Sequence, residues 1–224
     1  MTHEQVGKDL YTKFYESLNQ NNKNQCLDLS LNALENGSIS IPYLYEEILE
    51  KSLYEIASNE SPQNISIWQE HVQSGIVRTI IENTYTHVLK VKEQSIGQKV
   101  IVLCPEEEFH DIGARMTSDF LTLLGFESYF IGPNTPAEEI FKAIDVLSPD
   151  WVSISVTNFF HLSKLQDLVL EIKKYRPDHP LKVMVGGYAI EHTPGAKEKI
   201  QADAYPHTFE DLKKTKEAYY ETSL

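Results

Sequence analysis

After residue 98 the chain keeps one rhythm, in which short β-branched, apolar runs alternate with stretches of helix length. Val-Ile-Val-Leu at 100–103, Trp-Val-Ser-Ile at 151–154 and Val-Met-Val at 183–185 read as strands buried on both faces of a parallel sheet. A further strand is expected at 128–131, ended by Gly132-Pro133-Asn134, and a short last one at 202–205. Segments 114–124, 136–147 and 161–175 supply the crossover helices. The expected class is α/β, a doubly wound, flavodoxin-like or Rossmann-like parallel sheet.

Three of the strands run into loops that carry polar chemistry. Glu108-Phe109-His110-Asp111-Ile112-Gly113 follows the first, Ser155-Val156-Thr157 the third and Gly186-Gly187 the fourth. In an open parallel sheet ligands bind at the carboxyl ends of the strands, so these loops share one crevice although they are far apart in sequence. One of them offers an imidazole, a metal ligand. Singly, each loop has a plainer reading: His110 as a capping or solvent-facing residue, Ser155 as a strand-end hydroxyl, the glycines as a turn. Their order and their common position at strand ends favour a site. Asp111, Asp119 and Glu127 read as carboxylates on solvated faces.

The three elements resemble the motif of cobalamin-binding domains, commonly Asp-x-His-x-x-Gly, then Ser-x-Leu or a variant, then Gly-Gly. The gaps here, residues 114–154 and 158–185, fit that family's spacing. The resemblance implies that His110 displaces the vitamin's dimethylbenzimidazole base and binds cobalt from the lower face. It makes Glu108 the carboxylate partner of the histidine, with Asp111, Ile112 and Gly113 completing the loop's contacts. It also implies that the displaced nucleotide tail enters the sheet edge, where Ser155 and Thr157 hydrogen-bond it and Gly186 and Gly187 leave room.

The first ninety or so residues have a different pattern. Apolar residues recur at helical spacing: Val6, Leu10, Phe14, Leu18; Leu27, Leu31, Leu34; Ile48, Leu53, Ile56. Asn36-Gly37 ends one helix, Ser40 and Pro42 start the next, Ser61-Pro62 marks a break, and Ser66-Ile67-Trp68-Gln69 opens a helix to about Val91. A helical bundle over 1–92, a polar linker from Lys92 to Gln98 and an α/β domain over 98–224 follow.

This bundle resembles the helical cap of methyltransferase cobalamin modules and of light-responsive cobalamin sensors. Ile65-Ser66-Ile67-Trp68-Gln69-Glu70-His71 is similar to the sensors' stretch ending in Glu-His, which makes Glu70 and His71 upper-face residues. In the sensors an upstream Trp packs on the upper adenosyl group. Counting back from Glu70, that position is Glu60, and the next, a His in some sensors, is Ser61. Trp68 stands about one turn before His71 and is the substitute candidate, with Gly75 opening the same face. The alternative is a plain core stripe of Trp68, Val72, Ile76 and Ile80.

A formal charge of −13, from 20 Lys and Arg against 33 Asp and Glu, argues against DNA contact, which draws affinity from cations neutralising phosphates. The bundle begins almost at Met1, so the helix-turn-helix that precedes it in cobalamin repressors is not expected. Two cysteines without zinc or disulfide spacing, no apolar run of spanning length and an N-terminus unlike a signal peptide suit a soluble cytoplasmic protein. Two functions fit. One is a cobalamin-binding sensor, light- or cobalamin-responsive, that regulates through a protein partner or a homo-oligomer. The other is the corrinoid shuttle of a methyltransferase system, with scavenging or storage a weaker third. In either the cofactor, adenosylcobalamin or methylcobalamin, carries the chemistry, and the chain is not expected to be an enzyme on its own. Glu108 in place of the commoner Asp, and the stretch ending in Glu70-His71, lean toward the sensor.

Overall fold

The computed structural model describes residues 3–57, 66–178 and 180–221. Its chain forms two compact units, Met1–Val91 and Lys92–Leu224.

The first unit is helical. α1 (His3–Asn19) and α2 (Lys23–Glu35) are followed by a continuous helical stretch made of α3 (Ile41–Tyr43), a π-helical segment Leu44–Glu50 and α4 (Lys51–Ala57). α5 (Ile67–Val91) completes it. Local chemistry sets these ends. Ser40 accepts the Tyr43 N–H as an N-cap, and Gln69 reaches back to accept the Ser66 N–H before α5. The break expected at Ser61-Pro62 lies outside the described residues, as do Glu60, Ser61 and Ile65. Phe14, Leu18, Tyr45, Ile48 and Ile80 are fully buried. On α2 the inward stripe differs from the expected leucines: Cys26, Ser30 and Ala33 are buried, while Leu27, Leu31 and Leu34 are half-buried. Small side chains at i, i+4 and i+7 let a neighbouring helix approach closely, and the leucines flank the contact.

In the second unit β1 (Lys99–Pro105), β2 (Glu127–Thr135), β3 (Trp151–Ser155) and β4 (Lys182–Gly186) form a parallel sheet in the order β2-β1-β3-β4. The crossovers are α6 (Ile112–Leu123), α7 (Ala137–Leu147) and α8 (Leu162–Tyr175). After β4 come the short α9 (Tyr188–Glu191) and α10 (Ala196–Ile200), then α11 (Phe209–Lys216). The short strand expected at 202–205 is reduced to one parallel bridge, Met184 to Ala204. Asp203 there accepts the Val183 N–H with its carboxylate at 2.8 Å, a side chain standing in for a strand partner. One core of Ile, Val and Leu packs α7 and α8 against the sheet, including Ile101, Leu103, Ile144, Val152, Val169 and Val183. On α6, Phe120 meets Phe209 of α11 edge-on at 5.3 Å. Asp119 on the same helix, expected on a solvated face, is buried.

β2 runs past its expected end. Its register with β1 slips twice, between Val102 and Leu103 and between Leu103 and Pro105, and Gly132 at φ +118° carries the irregularity. Pro133 is tolerated because β2 is an edge strand. The strand thus extends through Asn134 to Thr135, opposite Pro105 at the end of β1.

Candidate functional site

β1 and β3 are neighbours whose crossovers leave in opposite senses along the sheet, so a crevice opens at their carboxyl ends. The loop after β1 begins with a turn in which the Glu108 N–H donates to the Pro105 carbonyl, and Glu107 holds φ +69°. This kink turns the Glu108 side chain inward, leaving it 1% exposed. Its Oε1 accepts the His110 backbone N–H at 3.1 Å and faces His110 Nδ1 at 2.5 Å. Its Oε2 accepts the backbone N–H groups of Thr157 at 3.0 Å and Asn158 at 2.8 Å. One buried carboxylate therefore ties the β1 loop to the β3 loop.

Burial alone would push the Glu108 carboxyl up. The His110 ring and the N–H groups of Asn158, His110 and Thr157 outweigh it and bring the pKa down to about 2. An ionised carboxylate only accepts hydrogen bonds, so in the neutral ring Nδ1 carries the proton and Nε2 the lone pair. The His110 side chain is 64% exposed, and Nε2 lies on the ring edge away from Glu108. This is a carboxylate-oriented imidazole, the arrangement that fixes tautomer and raises basicity in metal ligands. Beneath the loop, Cys104 Sγ lies 3.6 Å from the His110 carbonyl, and burial pushes that thiol up to about 12.

The remaining expected residues divide. Asp111, also expected on a solvated face, is buried, and its Oδ2 accepts from Arg115 Nε at 2.8 Å, while Arg115 lies over the Phe130 ring. Ile112 and Gly113 open α6. A Cβ built at Gly113 would meet only Ser155 Oγ, at an ordinary contact distance of 3.8 Å, so the Ser155 hydroxyl faces the first turn of α6. Thr157 reaches the site through its backbone N–H to Glu108. Gly187 departs from the reading that glycine leaves room for a ligand. At φ +101° a Cβ there would lie 2.5 Å from the Val156 carbonyl oxygen, so the chain itself fills that space. Gly186 is also confined, by the Pro206 carbonyl at 3.0 Å. The Val156 N–H donates to the Gly186 carbonyl and the Val156 carbonyl accepts the Ala189 N–H, which zips the glycine turn onto the end of β3.

Sequence reasoning missed several members. Asn158 caps the turn at Phe159–His161 by accepting the Phe160 N–H, and Phe109, Phe159 and Phe160 rim the two loops as exposed rings, Phe160 at 87%. Asn134, noted only as part of a turn, accepts the Glu107 N–H on Oδ1 at 2.8 Å and donates its own N–H to the Glu108 carbonyl at 2.9 Å. An Asn after Gly-Pro is the usable signal, since Asn tolerates positive φ, here +52°.

Residues 98–212, which contain every element of this site, match the B12 binding domain family. The chain belongs to the B12-binding domain family. It is 25% identical to the HTH-type transcriptional repressor CarH of Myxococcus xanthus over 161 residues, an alignment that takes in 72% of this chain. The chain spans about half the length of that relative, 52%. Among solved structures it shares its fold with the monomethylamine corrinoid protein of Methanosarcina barkeri, at a TM-score of 0.77 and 18% identity, over 93% of this chain and 97% of that one.

In the helical unit of this B12-binding chain, Trp68 is 61% exposed, so the plain core stripe stops at Ile76 and Ile80. His71 Nε2 lies 3.6 Å from Glu70 Oε2, and Glu70 Oε1 accepts from Ser74 Oγ at 2.8 Å. A Cβ at Gly75 would meet nothing within 4 Å. Trp68, His71, Val72 and Gly75 share one helix face by spacing. No described helix is long and apolar enough to cross a membrane.

Proposed function

We propose that this chain is a cobalamin-binding sensor or regulatory protein that holds cobalt from the lower face through Nε2 of His110. The observation that carries this is the Glu108–His110 pair: a single exposed imidazole, oriented by a saturated buried carboxylate, at the carboxyl end of β1. One imidazole suits a metal that brings its own equatorial macrocycle, so the donor set fits a corrin. Among the described residues no group of His, Cys, Asp and Glu could hold a bare ion, and none is required of such a site. Ser155 and Thr157 are assigned to the displaced base and its nucleotide tail, with Ile112 and Gly113 beside them, and Gly186 and Gly187 to the close turn that seats the end of β4 against Val156. Trp68, Glu70 and His71 are assigned to the upper ligand. When bound, the cofactor supplies a cobalt–carbon bond that light can cleave or a methyl group that can be transferred.

The sensor reading is favoured by the similarity to CarH, which reaches beyond the matched domain to 161 residues. A charge of −13 supports output through a protein partner or self-association rather than through DNA contact by this chain. The corrinoid-shuttle reading draws on the fold shared with the monomethylamine corrinoid protein. Loading the purified chain with adenosyl-, methyl- and hydroxocobalamin and recording visible spectra of wild type and His110→Ala tests ligation. A base-displaced spectrum that changes in the variant is expected, and identical spectra would sink the assignment. Size-exclusion runs before and after illumination separate the two functions. A change of assembly state supports the sensor, whereas unchanged assembly with methyl transfer to an added methyltransferase subunit supports the shuttle.

A further inference from the structure

We infer that Asn134 is a positioning residue for the axial histidine, acting through the Glu107–Glu108 kink. The inference rests on the assignment of His110 as cobalt ligand. Three of the contacts made from outside the loop between Pro105 and His110 bear on Glu107 and Glu108. Glu108 anchors to the Thr157 and Asn158 N–H groups, Lys164 Nζ meets Glu107 Oε2 at 2.8 Å, and Asn134 makes a two-bond clamp. The Lys164 pair is exposed and contributes little. The clamp differs in kind, because it fixes backbone. Asn134 Oδ1 takes the N–H of Glu107, the one residue of this loop at positive φ, and the Asn134 N–H takes the carbonyl of Glu108. These two groups flank the peptide that aims the Glu108 side chain inward.

The clamp is itself well seated. The β1–β2 register slips bring Thr135 opposite Pro105, and buried Thr135 donates its hydroxyl to the Gly132 carbonyl, closing the turn that carries Asn134. Without the Oδ1 acceptor the Glu107 N–H loses its partner and the left-handed kink loses its restraint. The Glu108 carboxylate then no longer holds Nδ1 in one place, and His110 presents Nε2 over a spread of orientations. Residues behind a metal ligand typically carry ten- to a hundredfold in metal affinity when they touch the ligand. Asn134 is one contact further out, so about tenfold is expected.

The experiment uses the full chain and hydroxocobalamin, titrated by absorption. Asn134→Gly keeps the positive φ and removes the acceptor, and Asn134→Asp keeps both. Asn134→Gly is expected to weaken binding about tenfold and to move the visible band toward that of His110→Ala, while Asn134→Asp stays within about twofold of wild type. In the His110→Ala background Asn134→Gly is expected to add nothing, since its effect runs through the histidine. Wild-type affinity and spectrum in Asn134→Gly, an equal loss in the His110→Ala background, or loss of the fold in Asn134→Gly would each overturn the inference. Failure of the underlying assignment looks different: wild type and His110→Ala would then give the same spectrum.

Discussion

The Glu108 carboxylate, buried beneath the sheet's crevice, lies 2.5 Å from Nδ1 of an exposed His110 ring. The pair converts a loop histidine into a fixed donor. Glu108→Gln preserves shape but places an amide N–H among N–H donors. Cobalamin affinity is expected to fall ten- to a hundredfold, with a broadened visible band, measured by titration against wild type. An affinity within twofold of wild type would mean that the carboxylate does not orient the ligand.

The same residue sets an acid limit on the unloaded chain. Its folded pKa is near 2, below the ordinary value of 4.5. A depressed carboxylate contributes stability above the unfolded pKa, and that contribution is lost as pH falls from about 4.5 through about 2. The contribution is up to about 3 kcal/mol at neutral pH. Urea unfolding at pH 7 and pH 3 should show a smaller pH dependence in Glu108→Gln than in wild type, and parallel curves would argue against the assignment.

Gly187 and Gly113 give opposite expectations although both belong to the expected motif. A side chain at Gly187 collides with the Val156 backbone at an unfavourable φ, so Gly187→Ala is expected to destabilise the unloaded chain by about 2 kcal/mol or more. A Cβ at Gly113 would meet Ser155 Oγ at no less than an ordinary contact distance, so Gly113→Ala should keep the fold within about 1 kcal/mol and report on the site alone. Thermal melts of the two unloaded variants decide this. Equal melting temperatures would remove the structural role given to Gly187.

The strands, their crossovers and the loops that meet at the crevice were legible because buried parallel strands write themselves as β-branched runs, and Val100, Trp151 and Val183 each sit inside one. His110 and Glu108 were legible as a motif. What the sequence withheld is carried by the backbone. Thr157 contributes an N–H where its hydroxyl was expected, Gly187 accommodates Val156 where ligand space was expected, and Asn134 acts across 27 residues through a bulged strand end whose register no local pattern encodes. The buried carboxylate of Asp111 escaped because its burial is set by tertiary packing, although its partner Arg115 stands only one helical turn away.

Trp68 provides the test that separates the bundle's role from its fold. An indole 61% exposed buries little, so Trp68→Ala should change the stability of the unloaded chain by less than about 1 kcal/mol. If its ring meets the upper ligand, the same substitution should alter the adenosylcobalamin-loaded form and leave the hydroxocobalamin-loaded form nearly unchanged, because a ligand shifts a protein only through contacts that differ between states. The measurement is size-exclusion elution of wild type and Trp68→Ala in both loaded forms, dark and illuminated. A light-dependent shift present in wild type and absent from the variant is the expected result. Identical behaviour of the two proteins in every form would assign Trp68 to no more than the helix surface and leave Glu70 and His71 as the remaining upper-face candidates.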